Sequence, residues 1–250
     1  MTEVMKTVGL CKENILFDVN FSMNKGEMAA VMGPSGSGKS TLLYLLSGMD
    51  KPDEGEVLFD GDNICIYSED MRADMRLKKM GFVFQQMNML PNLNIMDNII
   101  LPAYQSRQTK RGSKKSEAQL RDEAAALMKK VGIAGLENRR ITEVSGGQLQ
   151  RACICRAMMN HPKLLFADEP TGALNKAASE EIMEEFVRLN REGMSVLIVT
   201  HDSKVASCCD RVLYMLDGKI SGECVLGKYE ISQKYNREIK VSNWLEKHGW

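Results

Sequence analysis

The sequence predicts an α/β chain: a mostly parallel sheet with flanking helices, a small antiparallel β layer and an inserted α-helical subdomain. Three observations carry that prediction. Short apolar runs bounded by turn residues, at 28–32, 81–84, 163–168, 195–200 and 212–216, alternate with longer helical patterns. The runs are nearly continuous in apolar residues, as strands covered on both faces of a parallel sheet require. Asp60-Gly61 and Asp217-Gly218 read as tight hairpin turns, which join antiparallel strands. From about 87 to 160 no convincing strand occurs, while 117–131 and 146–160 read as helices, so this stretch is a helical insertion between two strands of one core.

In chain order, the strand at 28–32 enters a glycine-rich segment, and 40–47 leaves it as a helix carrying Leu42, Leu43, Leu45 and Leu46. The strand at 81–84 ends just before Gln85, and the strand at 163–168 ends in two acids, Asp168 and Glu169. Ala178, Ile182, Phe186 and Leu189 then recur at helical spacing, placing them on one face that packs on the sheet. The strand at 195–200 ends before His201, and the run at 212–216 turns at Asp217-Gly218 into 219–221. In the tail, Tyr229, Ile231, Trp244 and Leu245 suggest a short packed helix or an interface; Trp244 and Trp250 carry no functional reading.

The 250 residues supply enough core to fold without staples. With 44% hydrophobic and 26% charged residues, wholesale disorder is excluded. Lys+Arg and Asp+Glu both number 33, and a net charge of zero argues against a general nucleic-acid binder. The seven cysteines, at 11, 65, 153, 155, 208, 209 and 224, include no CxxC pair, so reduced thiols are expected rather than a disulfide framework or a zinc site. The N-terminal stretch has no signal-peptide core, and no apolar run reaches the length of a membrane span. A soluble chain is expected, serving any membrane process from the cytosolic side through a partner. The stretch 107–115 (RQTKRGSKK) holds five basic residues and no acid. Two readings are open for it: a solvated, mobile loop, or attraction to anionic lipid.

Gly33-Pro34-Ser35-Gly36-Ser37-Gly38-Lys39-Ser40-Thr41 matches G-x-x-x-x-G-K-[ST] between a strand and a helix. Glycines let successive backbone N–H groups close around phosphate oxygens where a Cβ would obstruct them. The helix N-terminus adds a partial positive charge of about half an elementary charge. Lys39 is placed on the β/γ-phosphates and the Ser40 hydroxyl on Mg²⁺, which makes this a nucleoside-triphosphate site of the P-loop NTPase kind. Ligands of such sheets bind at the C-terminal strand edge, so Asp168 and Glu169 are expected to meet the phosphates. Asp168 is the expected Mg²⁺ partner; Glu169 is the candidate for positioning and deprotonating the attacking water. Gln85 and His201 are expected at the same edge.

Val144-Ser145-Gly146-Gly147-Gln148, followed by Leu149-Gln150-Arg151, resembles the LSGGQ signature of ATP-binding cassette (ABC) proteins. The order of motifs (glycine-rich loop, Gln85, signature, strand with Glu169, His201) is also that family's, and the resemblance covers roughly residues 1–222. The segment 82–93 is similar to the exporters of the lipoprotein-release, macrolide-efflux and antimicrobial-peptide-resistance group, and 168–175 resembles the peptide-resistance branch in particular. The resemblance implies an ATP-binding domain over 1–222, with a catalytic core at about 1–86 and 162–222, a helical subdomain at about 87–161, and a tail at 223–250. It implies ATP and Mg²⁺ as ligands, with Gln85 joining Ser40 and Asp168 at the metal. Lys39, Gln85, Glu169 and His201 form the implied catalytic set. Ser145, Gly146, Gly147 and Gln148 are implied to bind the γ-phosphate of an ATP held by a second copy, so an ATP-dependent head-to-tail dimer completes two sites. Closing such a dimer from 1:99 to 99:1 needs about 5.5 kcal/mol of differential binding, shared by two nucleotides.

The implied partner is a separate integral permease, with the chain cytoplasmic and peripheral on the inner face of the cell membrane. The cargo is then a peptide, lipid or drug-like molecule. Other readings are a mechanical or sensory ATPase that moves a permease-like partner without transport, and a soluble cassette ATPase. Met87, Met89, Leu90, Leu93 and Met96 form either an adaptable groove for a permease helix or the helical subdomain's own core. Three positions depart from the family pattern. Cys11 stands where an aromatic usually stacks on adenine, with Phe17 the nearest alternative; Asn175 replaces an Asp after Glu169; Val144 replaces Leu.

Overall fold

Two sheets organise the chain, described for residues 2–108 and 115–250 in a computed structural model. The main sheet contains β3 (Met28–Met32), β6 (Met80–Phe84), β7 (Leu164–Asp168), β8 (Ser195–Val199), β9 (Arg211–Leu216) and β10 (Lys219–Val225), in the order β10-β9-β3-β8-β7-β6. All pairs are parallel except β9–β10. Strand alternation explains the unbroken apolar runs. Ala30, Leu165, Ala167, Val196 and Ile198 face one core, while Ala29, Val31, Leu164, Phe166, Leu197 and Val199 face the other.

The smaller sheet contains β1 (Glu3–Lys12), β2 (Leu16–Asn24), β4 (Glu54–Phe59) and β5 (Asp62–Asn63), all antiparallel, in the order β2-β1-β4-β5. Both Asp-Gly turns form with both residues left-handed, matching strand twist in two-residue hairpins. They differ in destination. Asp60-Gly61 serves the small sheet, whereas Asp217-Gly218 adds β10 to the edge of the main sheet rather than to the flanking layer. The small sheet is also larger than the sequence suggested, because β1 and β2 carry register shifts that break their alternation.

Eight α-helices are described: α1 (Lys39–Leu46), α2 (Glu69–Lys79), α3 (Ile95–Arg107), α4 (Glu117–Lys130), α5 (Gly146–Met158), α6 (Lys176–Arg191), α7 (Ser203–Ser207) and α8 (Lys234–Glu246). Two of them lacked a readable stripe. α2 buries only Arg72 and Met75, and α3 holds Pro102 and the buried Asn98. The Asn98 side chain donates to the Leu90, Leu93 and Asn94 carbonyls and accepts from the Leu90 amide, fixing the segment that leads into α3. Met89 and Met96 are buried with Ile99, Leu120 and Met128, so these two methionines fill the core between α3, α4 and α5; Leu90 stays exposed. Most of the basic stretch 107–115 lies outside the described residues.

α8 docks through Arg237, buried without a carboxylate. It donates to the carbonyls of Ser207, Cys209, Leu226, Gly227 and Lys228 and lies over the Tyr229 ring. Trp244, His248 and Trp250 surround Tyr214 on β9. The seven cysteines are free thiols, five of them buried. Among the described residues no helix is long and apolar enough to cross a membrane.

Candidate functional site

Sheet register builds the site. Val31 pairs with Val199, Val199 with Asp168, and Asp168 with Phe84, so four strands end at one level. The next residues in the chain are therefore delivered to a single edge: the phosphate loop after β3, Thr200 and His201 after β8, Glu169 after β7 and Gln85 after β6.

The loop needs its glycines for physical reasons. A Cβ on Gly33 would stand 2.1 Å from the Met215 carbonyl oxygen. Gly38 caps α1 at φ 97°, and a Cβ there would stand 2.6 Å from Leu16 Cδ2. Lys39 Nζ donates to the Gly33 and Pro34 carbonyls at 2.7 and 2.8 Å, folding back over the loop. Burial pushes its pKa down against the pull of Glu169 and Asp168. Ser37 is buried, and among the described residues its hydroxyl has no hydrogen-bond partner. Pro34, Ser35, Gly36 and Ser40 are exposed, and Thr41 is half-buried.

Opposite the loop, burial and the neighbouring Glu169 push the Asp168 carboxyl up, with Lys39 pulling it down. Glu169 is left-handed at φ 46°, a conformation that costs a non-glycine residue about 1–2 kcal/mol. Its amide donates to the Val199 carbonyl at 2.9 Å. One carboxylate oxygen lies 2.8 Å from His201 Nδ1, and the other accepts from the Thr200 hydroxyl at 3.3 Å. The His201 side chain is 68% exposed and that of Glu169 only 19%. Exposed Gln85 packs against Gly172, where a Cβ would stand 2.7 Å from its Nε2. Beyond it Met87 and Asn88 are both left-handed, and Arg156 holds their carbonyls at 2.6 Å. A cavity of about 740 Å³ opens from Glu169 and His201 between α6, α7 and the tail; the phosphate loop does not line it.

The signature segment stands apart. Ser145 caps α5 by accepting from the Gln148 amide, and the Gln148 side chain accepts in return from the Ser145 amide. Ser145 and Gly146 are exposed; Gly147 and Gln148 are half-buried. Among the described residues, no hydrogen bond joins residues 145–148 to the loop at 33–41. The chain thus brings Lys39, Asp168, Glu169, His201 and Gln85 to one edge and leaves the signature facing outward from another helix end.

Two residues without a role in the sequence reading help to build this site. Gln150, fully buried, donates from Nε2 to the Pro170 carbonyl at 2.7 Å and to the Phe84 carbonyl at 3.5 Å, tying α5 to the ends of β7 and β6. A polar residue inside the apolar face of α5 is the signal that marks it. The other is Thr200. Two of the three departures have describable local contacts. Cys11 is half-buried, its sulfur accepting from the Asp18 amide, whereas Phe17 is 45% exposed. Phe17 bonds through its amide to Gly218, whose own amide donates to Ser37 of the loop. Asn175 caps α6 by accepting from the Ala178 amide at 2.9 Å, as an Asp would.

Comparison with known proteins agrees with this geometry. The family model described as ABC transporter matches residues 16–172. The chain is 41% identical over 222 residues to the uncharacterized ABC transporter ATP-binding protein YknY of Bacillus subtilis, covering 88% of this chain and 94% of that one. It is 39% identical over 227 residues to the lipoprotein-releasing system ATP-binding protein LolD of Aquifex aeolicus, covering 89% and 98%. Among solved structures it is similar to the dimeric post-hydrolysis state of the ATP-binding cassette MJ0796 bound to ADP and Pi, with 36% identity, a TM-score of 0.79, and coverage of 90% of this chain and 100% of that one. Motif order, sheet register and these likenesses agree: the chain belongs to the ABC transporter family, as an ATP-binding and ATP-hydrolysing cassette.

Proposed function

We propose that two copies of this chain close head-to-tail around two ATP molecules, and that hydrolysis at the seam drives a separate membrane permease from the cytoplasmic side. The observation that supports this most is the division of the motifs: phosphate loop and carboxylates share one sheet edge, while the N-terminus of α5 presents Ser145 and Gly146 to solvent. A helix N-terminus offers N–H groups and positive potential to an anion, and a second copy can bring it to the first copy's γ-phosphate. The dimeric state of the related cassette MJ0796 supports the pairing of two copies.

Within each site, backbone amides of Ser35 to Thr41 cradle the phosphates and Lys39 leaves its carbonyl partners for the β/γ-phosphates. The Ser40 hydroxyl and Asp168 carboxylate are hard oxygen donors of the kind Mg²⁺ takes, and Gln85 reaches the same edge to join them. Bound Mg²⁺ would neutralise charge on the phosphates. Glu169 orients and deprotonates the attacking water, with His201 beside it, and Ser145 to Gln148 reach the partner's nucleotide. Phe17 supplies the face on which the base rests. The working division is a catalytic core at about 1–86 and 162–222, a helical subdomain at about 87–161 and a tail at 223–250. Gln85 joins the first two, so nucleotide state tilts the helical subdomain against the permease. The name of the lipoprotein-releasing relative supports export of a lipid, peptide or drug-like cargo.

Glu169→Gln tests this reading. Turnover is expected to fall about 100-fold to 10,000-fold, with ATP still bound and an ATP-held dimer accumulating in light scattering. Turnover within about tenfold of the parent contradicts the role given to Glu169.

A further inference from the structure

The Thr200 hydroxyl sits in an unusual place for an apolar strand end. Its residue is fully buried, directly after β8, and its amide donates to the Val31 carbonyl at 3.1 Å. Oγ1 accepts from the Asp202 amide at 3.0 Å and donates to Glu169 Oε2 at 3.3 Å. A hydroxyl has one proton and two lone pairs. With the Asp202 amide on a lone pair, the proton is left for the carboxylate. Glu169 is held by two side chains, and they differ in kind. His201 is mostly exposed and free to turn toward a nucleotide, whereas Thr200 is β-branched, buried and fixed by its own backbone bond.

We propose that Thr200 is a positioning residue for hydrolysis: its hydroxyl fixes one oxygen of the Glu169 carboxylate, so that the other is aimed at the attacking water when His201 turns to the phosphate. The inference rests on Glu169 acting as the base. Strain gives it a physical motive. The left-handed backbone at Glu169 turns the side chain off the line of β7, and a carboxylate anchored only through its own rotatable bonds would sample many positions. Misplacement of a base by a fraction of an ångström is enough to cost rate.

The experiment compares Thr200→Val, which keeps the shape and loses the hydroxyl, with Thr200→Ser, which keeps it. Thr200→Val is expected to lower kcat about ten-fold to hundred-fold, the equivalent of one hydrogen bond to a charged group. KM for ATP should stay within about twofold, since the hydroxyl's hydrogen bonds go to Glu169 and Asp202 and not to the phosphate loop. Thr200→Ser should recover most of kcat. Thr200→Cys, close in shape with a weaker donor, should fall between them and replaces Val if thermal melting shows that the Val variant does not fold. In the Glu169→Gln background, read by single-turnover hydrolysis, Thr200→Val should cost nothing further, because both changes act through one carboxylate. A merely structural role would cost the same factor in both backgrounds. That result, or a folded Thr200→Val protein with parental kcat, overturns the proposal. If Glu169→Gln alone keeps its turnover, the base assignment itself fails, which is a separate outcome.

Discussion

At the scale of single residues, the two carboxylates that end β7 live in different surroundings. Asp168 faces Lys39 across a partly buried gap, and burial outweighs that attraction, holding its carboxyl above the usual range. Burial likewise holds Lys39 below the usual lysine value. Under the proposed function, a metal-bound nucleotide would bring an opposite charge to both groups. The sign of the pH dependence follows. If Asp168 holds Mg²⁺ as proposed, that binding needs its ionised form, so as pH falls the Mg²⁺-dependent part of ATP affinity should disappear above the ordinary aspartate value of about 3.9. On the alkaline side, affinity should decline below the ordinary lysine value of about 10.4 as Lys39 loses its proton. Titrations with a fluorescent ATP analogue, with and without Mg²⁺, check this, and Asp168→Asn should remove the acidic break. A Mg²⁺-dependent component that stays flat into the ordinary aspartate range contradicts it.

Phe17 gives a second prediction at this scale. If the base lies on its ring, Phe17→Ala should weaken ATP binding by about 1–2 kcal/mol and leave inorganic triphosphate binding unchanged. Equal losses for both ligands contradict base stacking. The phosphate loop, carboxylate pair, Gln85 and His201 were legible in the sequence because each sits at a strand end with a chemically distinctive neighbour. Thr200 and Gln150 were not. A buried hydroxyl or amide shows its partner only once Glu169, Pro170 and Phe84 are brought together from distant parts of the chain.

Among the elements, legibility followed period. β3, β7 and β8 are buried on both faces and read as unbroken apolar runs, and α6 read from its stripe of Ile182, Phe186 and Leu189. β1 and β2 hid behind register shifts, α2 behind its charged surface, and α3 behind Pro102 and Asn98. The destination of β10 could not be read at all, because a hairpin turn fixes its partner strand but not the sheet that the pair joins. The tail is an element whose hold on the fold is concentrated in one side chain. Arg237 gathers five carbonyls from the end of α7 and the segment before Tyr229, and α7 directly follows His201. Arg237→Ala leaves the buried Ser207 and Cys209 carbonyls unpaired and frees those of Leu226, Gly227 and Lys228, so unfolding in urea should show a loss of about 3 kcal/mol. A loss below about 1 kcal/mol would mean that the aromatic cluster around Tyr214 holds α8 alone.

For the whole molecule, the arrangement divides the hydrolytic machinery between two surfaces of one chain. In the proposed dimer, each copy would offer its phosphate loop to a nucleotide and its α5 end to its partner's nucleotide, so one contact repeated by two-fold symmetry would complete both sites. The proposed coupling to a permease would run through Gln85 and the left-handed turn at Met87 and Asn88, which lead from the sheet edge toward α3 and are held by Arg156.

Complementation between two inactive variants measures this sharing directly. Lys39→Ala spoils the phosphate loop and keeps the signature; Ser145→Arg spoils the signature and keeps the loop. Each alone should be inactive. Mixed in equal amounts, half of the pairs contain one of each, with one of their two sites intact, so ATPase activity should return to about a quarter of the parental level. A mixture as inactive as its components, at concentrations where the parent chain turns over, would contradict the shared site.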